Sequence, residues 1–119
     1  MSEIPRYIKS RQIVFKQTLL PLTGDKFVED CPFDADIVSV GFQFPPGCDG
    51  LVDISAGHGD IRCFPTDGFL SLDGANPVFN CIEPVAEKEP LWVEIRNADV
   101  SNSHSVSISL MLQGKERGL

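Results

Sequence analysis

The sequence has little of what most catalytic and nucleic-acid-binding chains depend on. It has two histidines, one tryptophan and one tyrosine among 119 residues. No apolar run approaches the ~18 residues of a membrane-spanning helix. The opening segment MSEIPRYIKSRQ has no apolar core, so no secretory signal is expected. Ten basic residues against seventeen acidic ones give a net charge of −7. A surface of that sign does not displace counterions from nucleic acid, so no nucleic-acid partner is expected.

Recognised chemical motifs are missing as well. There is no P-loop, dinucleotide fingerprint or G-x-S-x-G elbow, and no catalytic residue is assigned. The four cysteines, Cys31, Cys48, Cys63 and Cys81, include no C-x-x-C pair, which disfavours a zinc ribbon or a thioredoxin-type site. They are expected to be free thiols that behave as small buried hydrophobes, with Cys48, in its Pro-Pro-Gly-Cys-Asp-Gly loop, the best candidate for exposure. His58 lies in Gly-His-Gly-Asp and reads as a polar turn residue. A mixed metal site of His58 with Cys48 or Cys63 is the weaker reading, so no metal or organic cofactor is predicted. The many aspartates sit mostly in Asp-Gly turns, where the short side chain caps its own backbone. They form no calcium loop of the EF-hand type and select no carboxylate pair for glycoside hydrolysis. An enzyme is not expected.

What is present is a series of short alternating segments separated by glycine, proline and aspartate. In SVSISLML, Val106, Ile108, Leu110 and Leu112 fall on one face, with Ser105, Ser107 and Ser109 on the other. IVSVGFQF places Val38, Val40, Phe42 and Phe44 together, with Ile37 at the edge. LVDISA, IRCF, FLSL, Val78 to Ile82, and Leu91-Val93-Ile95 follow the same rule, and a strand over about 12–20 completes eight. KFVEDCPFDADI holds one helical turn at most, because Pro32 interrupts it. The pattern predicts an all-β antiparallel β-sandwich, first an eight-stranded jelly roll and second an immunoglobulin-like Greek key. Its core is expected to hold Val40, Phe42, Ile54, Val93, Ile95, Val106, Ile108 and Leu110. Phe44, Phe64, Phe69 and Phe79 are read as further sandwich core.

Charge divides the chain. Residues 1–26 carry a net +3, residues 27–90 a net −10, and the remainder balances. This suggests an N-terminal basic arm over 1–24, a sandwich domain over 25–114 and a tail over 115–119. The arm suits docking on the acidic body of its own or a neighbouring chain. Arg6, Arg11, Ile13, Phe15 and Lys16 are the expected contacts, together with Trp92, which points away from Val93 and Ile95.

FQFPPGCDGLVDI, FLSLDGANPVF and LWVEIRNADVSNSHSVSISLML, within residues 37–113, carry a resemblance in architecture to small jelly-roll virion proteins. At that level the chain resembles decoration or minor capsid proteins of tailed and archaeal viruses. The resemblance implies a non-enzymatic, repeated component of a virion, with copies of itself and a larger protein shell as partners and no membrane partner. It carries no site residues across. The alternative is a recognition module that binds carbohydrate or protein through its loops, with Asp49, His58, Asp60 and Asp67 as contacts.

Overall fold

A computed structural model describes residues 7–115, with side chains from 9 to 114. Eight strands run in the order β1 (Tyr7–Leu19), β2 (Gly24–Asp30), β3 (Ala35–Gln43), β4 (Val52–His58), β5 (Ile61–Phe64), β6 (Val78–Val85), β7 (Pro90–Asn97) and β8 (His104–Lys115). They form two antiparallel four-stranded sheets, β1-β8-β3-β6 and β2-β7-β4-β5, packed face to face. Most connections cross from one sheet to the other, and the strand order is that of a jelly roll. Among the described residues there is no helix.

Alternation explains the core. Val106, Ile108, Leu110 and Leu112 of β8 are at most 2% exposed and face Val93, Ile95, Ile54 and Val52 of the other sheet within one cluster. All eight residues expected in the core are buried. Phe44 and Phe64 are buried too, whereas Phe69 is half-buried and Phe79 is exposed at the open edge of the sandwich.

Four readings of the sequence need correction. The first concerns β1, which is no separate arm. It pairs along its length with β8 of the same chain, and Ile13, Phe15 and Leu19 are buried in the common core. The apolar residues of a basic segment fill their own sandwich because main-chain pairing and core burial are both at hand. Arg6 and residues 116–119 lie outside the described residues.

Secondly, KFVED is a strand, the edge strand β2, and not a helical turn. Its side chains are mostly exposed and charged, so apolar alternation could not reveal it. Thirdly, FLSL forms no strand, since only Leu70 bridges Ile54. The count of eight held because one missed strand offset one false one.

The last correction is one of facing. A bulge between Ile37 and Ser39 shifts the register of β3 against both neighbours. Ile37 and Val40 are both fully buried, three residues apart, while Val38 is only half-buried. One inserted residue reverses the facing of everything before it.

At one end of the sandwich Asn97 holds three segments together. Its Nδ2 donates to the carbonyls of Leu19, Leu20 and Asn102 at 2.9–3.3 Å, and its Oδ1 accepts from Asp99 N. Asp99 in turn accepts from Ser101 N and Asn102 N and contacts His104 Nε2 at 2.9 Å.

Candidate functional site

The edge strands β5 and β6 belong to different sheets, and the sandwich opens between them. From β6, Glu83 and Cys81 point into this gap; Cys63 enters from β5 and His58 from the end of β4. His58 is therefore no turn-tip residue. It is 3% exposed, because the β4 ladder continues through it to Leu91 and Ile61. His58 Nδ1 is hydrogen-bonded to Glu89 Oε2, and His58 Nε2 lies 2.7 Å from Glu83 Oε2. The ligand atoms of His58, Cys63 and Glu83 all lie within 4.8 Å of one another.

The electrostatics follow from this crowding. Burial opposes charge on His58, yet its bonds to Glu89 and Glu83 outweigh burial and hold its pKa above the ordinary value. Glu89 moves down: burial opposes its charge, but His58 and Ala86 N stabilise the carboxylate. Desolvation and the neighbouring Glu83 charge push the Cys63 thiol up to about 12. Cys81 is raised for the same two reasons, and its sulfur donates to Ile37 O.

Beside this cluster lies an apolar pocket of 240 Å³ lined by Phe42, Cys63, Phe64, Pro65, Leu70, Phe79, Asn80 and Cys81. Phe42 and Phe79 meet edge to face there, with centroids 5.9 Å apart.

Other expected site residues are dispersed. Cys48 is fully buried and its pKa is raised, chiefly by desolvation, so it is no exposed thiol. Its loop is drawn inward by Asp73 Oδ1, which accepts from Gly47 N and Asp49 N at 2.8 and 3.0 Å. Asp49 and Asp60 are both exposed but lie beyond opposite ends of β4, roughly 20 Å apart at ~3.3 Å per residue. Asp67 sits in the loop after β5. These loops therefore do not form one binding end.

Trp92 is buried and not a surface contact. It lies on the outer side of the β2-β7-β4-β5 sheet over Gly57, and its Nε1 donates to Gly59 O at 3.0 Å. Lys26 Nζ and the Arg62 guanidinium cover it, 4.4 and 5.6 Å from the ring. Ile13 and Phe15 are likewise interior, while Arg11 and Lys16 remain exposed.

The outer faces of the two sheets differ. The β2-β7-β4-β5 face carries Lys26, Asp53, Arg62, Glu94 and Arg96, partly tied by Arg62–Glu94 and Arg96–Asp53 ion pairs. The β1-β8-β3-β6 face presents Gln12, Val14, Lys16 and Thr18, then Ser105, Ser107, Ser109 and Met111. Beside these lie Ser39, Gly41 and Gln43, and at the edge Val78, Asn80 and Ile82. Lys16 is the one exposed charge among them. Gly41 keeps the surface low, since a Cβ there would stand 3.1 Å from Ser109 Oγ. Sequence reading identified the serine stripe, but only the sheet order shows that Val78 and Ile82 extend it.

No known protein-family model matches the chain, and no curated protein is significantly similar to it.

Proposed function

We propose that the protein is a non-enzymatic structural component that associates with further copies of itself through the outer face of the β1-β8-β3-β6 sheet. One observation carries this: the face is almost uncharged in a chain of net charge −7. Val14, Val78 and Ile82 are 51%, 66% and 66% exposed on it. Protein interface cores are depleted of charge, and small side chains let two sheets approach closely. Two acidic copies meet with the least electrostatic penalty where neither presents acids. The edge strand β6 adds unpaired main-chain groups beside the same apolar residues. The jelly-roll strand order supports, by architecture alone, a setting in a virion shell.

The test is sedimentation of the full chain from micromolar to millimolar concentration. Wild type should form a defined oligomer, and Val78→Glu/Ile82→Glu should be monomeric with an unchanged circular dichroism spectrum. A monomeric wild type, or an oligomer indifferent to both substitutions, would overturn the assignment. Carbohydrate recognition is less well supported, because the loops are dispersed and the pocket is lined mainly by apolar residues and two thiols. Strong, selective binding on a glycan array would reverse that preference.

A further inference from the structure

We propose that His58 Nε2, Cys63 Sγ and Glu83 Oε2 form a three-ligand site for a divalent cation of the zinc class, its fourth position open toward the apolar pocket between β5 and β6. The donor set is one imidazole, one thiolate and one carboxylate, a mixture that suits zinc and not a hard cation such as magnesium. The three donors lie within 4.8 Å of one another. Tetrahedral coordination at zinc distances places donors roughly 3.3–3.8 Å apart. The cluster therefore needs only small side-chain movements, with the 2.7 Å His58–Glu83 contact opening to admit the ion.

A second feature is independent of the donor set. His58 Nδ1 is engaged by Glu89 Oε2. A metal-bound histidine characteristically donates its other ring nitrogen to a carboxylate, which fixes the ring and its tautomer. Here the ring is already held with Nε2 against Glu83, beside Cys63. Glu89 is fixed in turn by accepting from Ala86 N.

Charge also suits a dication. Two carboxylates and a thiol converge on a 3%-exposed histidine, and no lysine or arginine forms an ion pair with Glu83 or Glu89 among the described residues. The Glu83 side chain is 31% exposed, so an ion has a way in from the sandwich edge. Cys81 lies outside this group of converging donors, and its sulfur donates to the Ile37 carbonyl.

Cobalt(II) and zinc(II) titrations of the reduced full chain test the site. Cobalt should bind one per chain, with the intense visible bands of tetrahedral geometry and a thiolate charge-transfer band, and zinc should displace it. Cys63→Ser should remove the thiolate band, while Cys81→Ser and Cys48→Ser keep it. Glu89→Gln should keep the spectrum and weaken zinc about 10–100-fold. Zinc should raise the melting temperature of wild type but not of Cys63→Ser, whose circular dichroism shows whether it folds. Absence of stoichiometric binding, an octahedral cobalt spectrum, or a thiolate band that survives Cys63→Ser would overturn the proposal.

Discussion

Trp92 rests on Gly57 so closely that a Cβ on the glycine would stand 2.7 Å from the indole Cζ2 and 2.1 Å from the Ile61 carbonyl oxygen. The glycine is needed for space, since its backbone belongs to an ordinary strand. This contact lets the indole lie flat on β4, within reach of the Gly59 carbonyl.

Gly57→Ala should therefore destabilise the fold by about 1–3 kcal/mol, the usual cost of overpacking, because a backbone carbonyl and a large ring must both shift. Urea denaturation would show a lower midpoint, and tryptophan fluorescence a changed emission in the native state. An unchanged midpoint would mean that β4 and β5 separate easily here.

Phe15 tests the integration of β1. It is 5% exposed and belongs to the central cluster. Phe15→Ala should cost about 3–5 kcal/mol, and Ile108→Ala, at a fully buried position of the partner strand, about 2–5 kcal/mol. Deletion of residues 1–20 should leave a chain without cooperative unfolding, because it strips β8 of its outer neighbour. A truncated chain with native stability would show that β1 is dispensable.

Acid should act through Asp99. Hydrogen bonds from Ser101 N, His104 and Asn102 stabilise its carboxylate and lower its pKa from 3.8 to about 2. A depressed native pKa means stabilisation that is complete above the ordinary carboxylate range. It is lost as pH falls from 3.8 through about 2. Asp99→Asn should thus be less stable than wild type at neutral pH, and the two should converge towards pH 2. Urea midpoints measured across that interval decide the matter; parallel curves would exclude the role.

Salt should strengthen self-association. Among the described residues the contact face has one exposed charge to screen, while each whole chain carries −7. Screening then mainly relieves repulsion between like-charged copies. Sedimentation at low and high ionic strength checks this, and association weakened by salt would exclude it.

Local chemistry determined much of this protein. Period-two patterning in β8 and β7, with glycine, proline and aspartate breaks, suffices for an all-β sandwich and for its central core residues, because a strand buries alternate side chains whatever its partners. Alternation fails where tertiary pairing sets the facing. The bulge in β3 puts Ile37 inside, and the edge position of β2 lets a charged segment be a strand. The pairing of β1 with β8 turns a basic segment into part of the core. The site was legible least of all. His58, Cys63, Glu83 and Glu89 are separated by five, twenty and six residues in the sequence and share no motif. They meet only because β4 continues its ladder through His58, while β5 and β6 form the facing edges of the two sheets. Charge balance in the sequence could not reveal the bare outer face either, since a sheet face combines alternate residues from strands far apart in the chain.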